Sequence, residues 1–527
     1  MIYHCEDHTC NYWDEGEKLP ERCPQCGRKL LRANEADMTG DDWTALGNTL
    51  WDAEASDKKR MVDCFRKAAY LGSAWGVCNL GICMEQGNGV EADPVQAFWL
   101  YQQAVEMGSL NAVCCLGVCY EYGIGTAPDA EKAAELYCKA AEYGSPRGQM
   151  LLAHAFHDGI GVEADAAEAV HWVRAAAYQR YGEGMHRLGV CYEYGDGVEQ
   201  NWEHAVHWFR EAAESGVSAA MTDLGYCYEK GCGVEQSWEQ AFSWYRRGAE
   251  CGYPVSMSNL GLCYKRGYGV EQNWQEAIKW YEQGAQCGNL QSMHNLACCY
   301  ERGEGVEQNM TEAIRWYTAA AEGGNTDDMY NLGWQYDHGE GVEQDMKKAI
   351  CWYERAAEQN HPAAMNSLGE CYAMGRGVPR DLETAMEWYR RAAELGEAMA
   401  DYNMGWHLEQ AGKLSEAYAH YRKAADGNDD SAWWALGRFY ENGVVVAQDG
   451  KEARRCYETG EKLGSVKCKM RLARCRLLGI GGRREKKAGL DLCRQALELA
   501  KESSEKEDYG YEAEMNLLRR TIAENES

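Results

Sequence analysis

The chain has 527 residues, of which 45% are hydrophobic and 26% are charged, a composition typical of a folded, water-soluble protein rather than a disordered one. Its 54 Lys and Arg against 83 Asp and Glu give a formal charge of −29, which argues against nucleic acid or an anionic membrane surface as a partner. No apolar run approaches the ~18 residues of a membrane span, and the first residues lack the pattern of a signal peptide, so we expect a cytoplasmic protein.

Residues 1–34 form a segment of their own, predicted to bind a metal. They carry the pattern C-x4-C-x12-C-x2-C at Cys5, Cys10, Cys23 and Cys26. The Cys23–Cys26 pair, followed by glycine, resembles a zinc-ribbon knuckle, in which two thiolates reach one tetrahedral ion. The x4 spacing of the first pair is wider than usual, so His8 is the alternative to Cys10; free thiols or a rubredoxin-like iron site are less favoured. Four protein ligands predict one structural Zn²⁺ that holds this short segment folded.

From about residue 40 the sequence repeats itself. A leucine recurs every 36 residues at Leu80, Leu116, Leu152, Leu188, Leu224, Leu260, Leu296, Leu332 and Leu368, and Met404 continues the series. The residue after each of these is Gly or Ala. Similar leucines before and after this run bring the number of units to about thirteen. A fixed period of this length indicates stacked copies of one supersecondary unit.

Each unit predicts two helices. In the unit that starts at Ser218, the apolar residues recur at helical spacing, first at Met221, Leu224, Gly225 and Tyr228 and then at Ala241, Trp244, Tyr245 and Ala249. The small residues Gly225 and Ala241 allow close helix approach, and Gly231-Cys232-Gly233-Val234 forms the turn. The second helices should begin at an N-cap column made of Asp93, Asp129, Asp165, Asn201, Ser237, Asn273, Asn309, Asp345 and Asp381.

The consensus A-x3-LG-x2-Y-x2-G-x-GV-x2-D-x3-A-x2-WY-x2-AA-x2-G resembles the Sel-1-like repeat (SLR) family, which is related to the tetratricopeptide repeats. The resemblance covers residues 40–482 and implies an all-α solenoid that scaffolds protein complexes, without implying one activity. Stacking of about thirteen such helix–turn–helix units predicts a right-handed superhelix with a concave inner surface. The small zinc ribbon would precede this solenoid.

Two regions depart from the consensus. The turn at Gln410–Lys413 is four residues short and residues 443–446 read Gly-Val-Val-Val, so we predict a kink near 405–445. Residues 483–527 predict C-terminal capping helices, with a polar break at Ser503–Ser504.

Eight cysteines stand three residues after a unit leucine, at Cys83, Cys119, Cys191, Cys227, Cys263, Cys299, Cys371 and Cys475. Neighbouring helices pack about 8–10 Å apart, too far for a disulfide, so these cysteines are predicted to be small buried hydrophobes. Some secreted SLR relatives bridge their helices through a C-x7-C pair. In this chain Ala249 and Met257 take those positions, which argues against a disulfide-stapled solenoid.

On the first helix of each unit, positions −2, −1 and +2 from the leucine point away from the core and are predicted to line the groove. Position −1 holds Asn259, Asn295, Asn331 and Asn403, whose amides can pair with a peptide backbone, as in SLR and tetratricopeptide relatives. The remaining candidates are the ring side chains Tyr226, Trp334, Trp406, His294, Tyr330 and Tyr402. The alternative is that the asparagines only solvate the helix while the aromatics pack between units.

No catalytic constellation emerges from the sequence. His154 and His157 share a helix face without a third ligand, and the Trp-Tyr pairs such as Trp244-Tyr245 fall on the core face. We therefore expect a non-enzymatic scaffold that binds a peptide or protein, with the zinc ribbon as a cap or second docking module. The alternative is a metal- or redox-responsive regulator that uses the N-terminal cysteines.

Overall fold

The computed structural model describes residues 2–5, 13–15, 30–33, 35–51, 55–506 and 512–526, in two compact units, Met1–Gly284 and Ala285–Ser527. The first unit contains β1 (Ile2–Cys5), β2 (Trp13–Glu15), β3 (Leu30–Ala33), α1 (Gly40–Thr49), α2 (Ala55–Tyr70), α3 (Ala74–Gln86), α4 (Pro94–Glu106), α5 (Leu110–Tyr122), α6 (Ala130–Glu142), α7 (Pro146–Asp158), α8 (Ala166–Tyr178), α9 (Gly182–Tyr194), α10 (Trp202–Glu214), α11 (Ser218–Lys230), α12 (Trp238–Glu250), α13 (Pro254–Arg266) and most of α14 (Trp274–Gln286).

The second unit continues the same arrangement of helix pairs. It contains α15 (Leu290–Arg302), α16 (Met310–Glu322), α17 (Thr326–His338), α18 (Met346–Glu358), α19 (Pro362–Met374), α20 (Leu382–Glu394), α21 (Ala398–Gln410), α22 (Leu414–Asp426), α23 (Asp430–Asn442), α24 (Gly450–Lys462), α25 (Val466–Leu478), α26 (Lys486–Lys506) and α27 (Glu512–Glu526). Thirteen pairs, α1–α2 to α25–α26, and one final helix are therefore present in the described chain, which confirms the predicted solenoid of helix–turn–helix repeats.

The amino-terminal strands form a small antiparallel sheet in the order β2-β1-β3. In its register Ile2 pairs with both Glu15 and Ala33, and Cys5 pairs with Leu30. Four of the predicted metal ligands or their alternatives, His8, Cys10, Cys23 and Cys26, lie outside the described residues, and for Cys5 only the backbone is described.

The glycine after each unit leucine is explained by the second helix of the same pair. A Cβ atom on Gly225 would lie 2.6 Å from Cε1 of Tyr245, and one on Gly333 would lie 2.5 Å from Cδ1 and Cε1 of Tyr353. Both tyrosines are 1% exposed. The small residue thus allows the first helix to lie directly on a buried aromatic ring, as the sequence predicted.

The helix ends also follow the sequence. All nine predicted N-cap side chains accept a hydrogen bond from a backbone amide in the first turn of the helix they precede. The first glycine of the turn, such as Gly231 at φ 75°, ends the first helix in the left-handed conformation. The second, such as Gly233, lies where a Cβ would come 2.4 Å from the carbonyl oxygen of Trp202.

The buried tyrosines of the second helices donate a repeated hydrogen bond. In each of five pairs the tyrosine hydroxyl donates to a glutamate 16 residues earlier, near the end of the first helix, at 2.6–3.0 Å. The bonds are Tyr101–Glu85, Tyr137–Glu121, Tyr245–Glu229, Tyr317–Glu301 and Tyr457–Glu441. The tryptophans before the tyrosines are only half-buried, and arginines lie over several of them, as Arg355 does over Trp352 at 4.2 Å. Only the tyrosine half of the Trp-Tyr column is therefore fully in the core.

All eight cysteines of the predicted column are buried, at 0–3% exposure. Burial raises the pKa of the Cys83 thiol to about 11 and that of the Cys227 thiol to about 12. None of the 21 cysteines in the described part of the chain forms a disulfide. The prediction of small buried hydrophobes is confirmed.

The irregular regions are only partly as predicted. The turn between α21 and α22 is shortened to Ala411–Lys413, and Val445 has a φ of 65° where other repeats carry glycine. The predicted break at Ser503–Ser504 is wrong, because α26 continues through it to Lys506. Serine is an acceptable helix residue when nothing else ends the helix.

Candidate functional site

In the second unit, the predicted groove residues lie along the first helices α15, α17, α19 and α21, and we call positions −2, −1 and +2 of these helices the strip. The predicted members that the structure places there are His294, Asn295, Tyr330, Asn331, Trp334, Tyr402, Asn403 and Trp406. Seven of them are half-buried, and Trp406 is 38% exposed. None of them is fully buried, so each side chain is at least partly accessible.

The aromatic members of the strip are held in place by neighbours. The ring of Tyr330 stacks on His361, with centroids 5.0 Å apart, and that imidazole donates through Nε2 to Asp327. Trp334 stacks on His338 at 4.4 Å. Both rings therefore have a fixed face, while part of each ring is still accessible to a partner.

Further along the strip, Tyr402 packs against Tyr421 at 5.6 Å, and Trp406 meets His407 edge-on at 4.7 Å. His407 is buried below the tryptophan. The exposed indole thus rests on a fixed ring, which reduces the conformational entropy that it would lose on binding.

The asparagines differ in how much of their hydrogen-bonding capacity is used inside the protein. Both amide hydrogens of Asn403 are engaged, because Nδ2 donates to Oδ1 of Asn366 at 3.0 Å and to Oε1 of Glu370 at 3.2 Å. Asn331 donates one long bond of 3.4 Å to Asp328. Asn295 accepts from Gln291 on its own helix at 3.4 Å. The carbonyl of Asn403 and most of the Asn331 amide are left for a ligand.

Two predicted groove residues, Asn259 and Tyr226, belong to the first unit. Asn259 is half-buried on α13, and Tyr226 is exposed on α11 with Lys230 over its ring at 5.7 Å. The structure therefore brings together the candidates of the second unit in one strip, and these two belong to the corresponding helix faces of the first unit.

Sequence reasoning missed several polar residues of the strip. Asn366 and Glu370 occupy positions −2 and +2 of α19, and Cys298 occupies position +2 of α15. The same positional rule would have found all three, had positions −2 and +2 been searched for more than aromatic rings. Glu370 lies 3.7 Å from Arg376, which also pairs with the buried Asp337 at 3.0 Å.

His294 is the histidine of the strip, and both of its ring nitrogens have a polar contact. Its Nδ1 lies 2.7 Å from Oδ1 of Asp328 on α17, and its Nε2 lies 3.5 Å from Sγ of Cys298, one turn later on α15. The same sulfur lies 3.3 Å from the hydroxyl of Tyr317 on α16. This hydrogen-bonded cluster joins three helices of two neighbouring repeats.

The first unit contains a second thiol cluster and a histidine-lined cavity. Arg147 donates a hydrogen bond to Sγ of Cys115 at 3.4 Å. A hydrogen bond from Cys78, which has the larger effect, acts together with Arg147 to lower the pKa of the Cys115 thiol to about 7. His154 lies 3.1 Å from Asp158 and His157 lies 3.2 Å from Asp196, both at a cavity of about 420 Å³. Within the described ranges, no group of three or more His, Cys, Asp or Glu residues is arranged to hold a metal ion.

The Sel1 repeat model matches the chain twelve times, at residues 76–109, 112–145, 146–181, 182–217, 218–253, 254–289, 290–325, 326–361, 362–397, 398–429, 432–465 and 466–501. The chain belongs to the Sel1 repeat family. The match begins at α3, so the pair α1–α2 is a thirteenth unit that the family model does not cover. At the other end, the last matched repeat includes most of α26.

The solved structures that are similar to the chain include the following two. One is c5321, a protective antigen present in uropathogenic Escherichia coli strains and displaying an SLR fold, which is 29% identical, with a TM-score of 0.55 over 88% of this chain and 94% of that one. The other, a Sel1 repeat protein from Oxalobacter formigenes, is 31% identical, with a TM-score of 0.42 over 46% of this chain and 96% of that one. None of the curated proteins matches the sequence. No helix in the described part of the chain is both long and apolar enough to cross a membrane.

Proposed function

We propose that this Sel1 repeat protein is a non-enzymatic scaffold that binds an extended peptide segment of a partner protein along the strip of its second unit. The observation that carries the proposal is the combination, on one row of helices, of partly exposed aromatic rings and amides with unused hydrogen-bonding capacity. Sel1 repeats generally build protein-binding scaffolds, which supports the same conclusion.

The strip offers an extended peptide both kinds of backbone contact. The carbonyl of Asn403 can accept an amide hydrogen of the peptide, while Asn331 can donate to a peptide carbonyl and accept from the next amide. Such contacts hold a peptide without reading its sequence. Specificity would come from the side chains that meet Trp334 and Trp406, because partly buried aromatic residues dominate interface energetics.

Charge favours a neutral or basic partner. The chain carries a formal charge of −29, and Asp327 at the strip is 77% exposed. Electrostatic steering by such a charge speeds the association of a basic segment and weakens as salt is added. We therefore expect the association rate to fall with ionic strength and the dissociation rate to change little.

The test is affinity capture from a lysate of the source organism, followed by measurement of the captured partner's affinity by calorimetry. The variant Asn331→Ala/Asn403→Ala/Trp406→Ala should lose the partner, with a weakening of at least about 2 kcal/mol if Trp406 is an anchor. The matched control is Lys347→Ala/Glu354→Ala, which removes two exposed side chains of opposite charge from α18. If the control loses the partner and the strip variant keeps it, the binding surface is on the second helices and the proposal is wrong.

We also propose that residues 1–34 bind one structural Zn²⁺ through Cys5, Cys23, Cys26 and Cys10, with His8 as the alternative fourth ligand, and act as a cap or second docking module. The sheet register supports this proposal. Cys5 pairs with Leu30, which is four residues after Cys26, and His4 pairs with Trp13, three residues after Cys10. At ~3.5 Å per residue, both cysteines can come within reach of an ion at Cys5.

The zinc proposal is tested by measuring the metal content of the purified full chain. One zinc per chain is expected, with loss of the metal in Cys23→Ser/Cys26→Ser. Comparison of Cys10→Ser with His8→Ala identifies the fourth ligand, because only its removal should weaken retention against a chelator. A wild-type chain that never retains zinc would contradict the proposal. Deletion of residues 1–34 from the capture experiment then shows whether this segment also contacts the partner.

A further inference from the structure

Asp328, in the His294 cluster, is an unusual residue for its position. In the twelve helix pairs from α3–α4 onward, the position four residues before the unit leucine (or Met404) is fully buried, and Asp328 is the one residue there other than Gly, Ala, Ser or Cys. The residues of this column are Gly76, Ala112, Gly148, Gly184, Ala220, Ser256, Ser292, Asp328, Ala364, Ala400, Ala432 and Cys468. A fully buried carboxylate at this position costs desolvation energy that the other eleven of these pairs do not bear.

The contacts of Asp328 show what compensates this buried charge. Its side chain is 0% exposed, and Oδ1 accepts from His294 at 2.7 Å and from Asn331 at 3.4 Å. Oδ2 is buried and has no hydrogen-bond partner in the described structure. A buried carboxylate with one unsatisfied oxygen strongly favours a positive charge on the group that touches it. The hydrogen bond to Asp328 accordingly raises the pKa of His294 to about 10, so the imidazole is charged at neutral pH.

The charged ring acts on Cys298. Burial raises the pKa of this thiol, but the hydrogen bonds with His294 and Tyr317 and the charge of the imidazolium outweigh burial, so the pKa lies below its usual value. The column thiols behave in the opposite way, since burial alone raises the pKa of Cys83. Cys298 is also only partly buried, whereas Cys299 beside it is fully buried. Low thiol pKa and access are the two properties of reactive cysteines.

We propose that Cys298 is a modification site, whose thiolate, paired with the imidazolium of His294 and oriented through Asp328, exchanges with low-molecular-mass disulfides. The thiolate attacks one sulfur of the reagent disulfide, a new S–S bond forms at Cys298, the old S–S bond breaks, and the second half leaves as a thiolate that takes a proton from solvent. The product is a mixed disulfide that a reducing thiol reverses. This proposal does not depend on peptide binding.

Four charged or titratable groups face this centre. His294 and Glu301 lie on the helix of Cys298, Tyr317 lies on α16, and Asp328 lies on α17. The Tyr317 hydroxyl has one proton for two acceptors, Oε2 of Glu301 at 3.0 Å and the sulfur at 3.3 Å. Glu301 opposes the thiolate by charge repulsion, and the imidazolium favours it. As the pH falls, Cys298 therefore loses its reactivity only when its thiolate is protonated. This protonation occurs at a lower pH than the protonation of an ordinary cysteine thiolate.

The experiment is pulsed alkylation of the full chain with iodoacetamide between pH 5 and 9, with the rate at each cysteine read by peptide mass spectrometry. Cys251, Cys287 and Cys351 are exposed and serve as controls for access in the same sample. At pH 6 we expect Cys298 to react at least severalfold faster than these three, because a larger fraction of its sulfur is thiolate. A second arm incubates the chain with oxidised glutathione at pH 7 and asks which cysteine is modified first.

Two variants separate activation from folding. His294→Gln removes the charge and should slow Cys298 at pH 6 about tenfold, while Asp328→Asn keeps the shape of the carboxylate and should slow it by a smaller factor. The buried column cysteines must stay unlabelled in both variants, which shows that the repeats remain folded. The variant His186→Gln is the matched control, because His186 also pairs with an aspartate, Asp223 at 2.6 Å, in the first unit.

Four results would overturn the proposal. Cys298 could react no faster than the exposed cysteines at pH 6, His294→Gln could leave its rate unchanged in a folded chain, or glutathione could modify other cysteines first. Fast alkylation with no glutathione adduct would show a thiolate that does not exchange with disulfides, and this too would contradict the inference. Selective, histidine-dependent labelling together with a reversible adduct at Cys298 is the result expected.

Discussion

The contact between Gly333 and Tyr353 predicts that Gly333→Ala will destabilise the α17–α18 pair. The new Cβ would lie 2.5 Å from two ring carbons of a tyrosine that is 1% exposed. Overpacking of a core costs about 1–3 kcal/mol, and alanine returns about 1 kcal/mol of helix propensity. The net loss should be about 1 kcal/mol. In α15–α16 the corresponding residues are Ala297 and Tyr317, and both are buried. A tyrosine ring can therefore pack against an alanine at this position, so we expect the loss of stability to lie toward the lower end of this range.

Other repeats show in which sequence background Gly333→Ala should stabilise the helix pair. Where alanine replaces the glycine, the facing residue is often smaller: Ala153 shares a core cluster with Val173, and Ala473 shares one with Cys493. In a Tyr353→Val chain, Gly333→Ala should therefore stabilise the pair by about 1 kcal/mol through helix propensity alone. The coupling between the two sites is then about 2 kcal/mol, within the range measured for residues in contact.

Hydrogen exchange read by mass spectrometry measures the stability of each helix pair separately, because neighbouring repeats open separately in a solenoid. A loss of 1 kcal/mol lowers the protection of α17 and α18 about fivefold. The remote pair α23–α24 serves as the internal control and should not change. If Gly333→Ala has the same effect in the wild-type and Tyr353→Val chains, the ring contact does not explain the glycine, and the packing argument fails.

Three further predictions concern the second unit. Val445→Gly should stabilise the chain by about 1 kcal/mol, because the left-handed conformation at φ 65° strains a branched residue; unchanged or lower thermal stability would contradict this. Asp345→Ala removes the cap that accepts from two amides of α18 and should cost about 1 kcal/mol, whereas Asp345→Asn should cost little in the same denaturation assay. Burial raises the pKa of Asp429 to about 6, so stability is lost as the pH rises from about 4 through 6. Asp429→Asn should therefore raise the melting temperature at pH 7.5 and leave it nearly unchanged at pH 4; an equal effect at both would be inconsistent with a buried charge.

The fold could be predicted because the residues that determine each helix pair lie within that pair. The leucine period, the small residue after it and the N-cap column each depend on chemistry within one helix pair, and the structure has all three. The break predicted at Ser503–Ser504 failed because two serines only weakly disfavour a helix, and α26 continues past them. The half-exposed tryptophans were assigned to the core because periodicity does not separate a helix flank from its buried face.

The candidate site was less predictable, because it depends on contacts between repeats. His294 and Asp328 are 34 residues apart, so their bond follows from how α15 and α17 lie beside each other rather than from the 36-residue period. The same holds for the bond between Asn403 and Asn366, at a separation of 37. The one signal in the sequence was the aspartate in a column of small residues, since a carboxylate there requires a partner wherever it is buried.

The tyrosine–glutamate bond has a consequence for how such a chain can change in length. Donor and acceptor belong to the same helix pair in every case, as for Tyr245 and Glu229. Excising residues 218–253, or copying them in tandem, therefore removes or adds a complete donor–acceptor set and leaves no buried hydroxyl without its acceptor. Copy number can thus drift during evolution by whole 36-residue modules, and the length of the binding surface can be tuned independently of the chemistry that keeps each module folded.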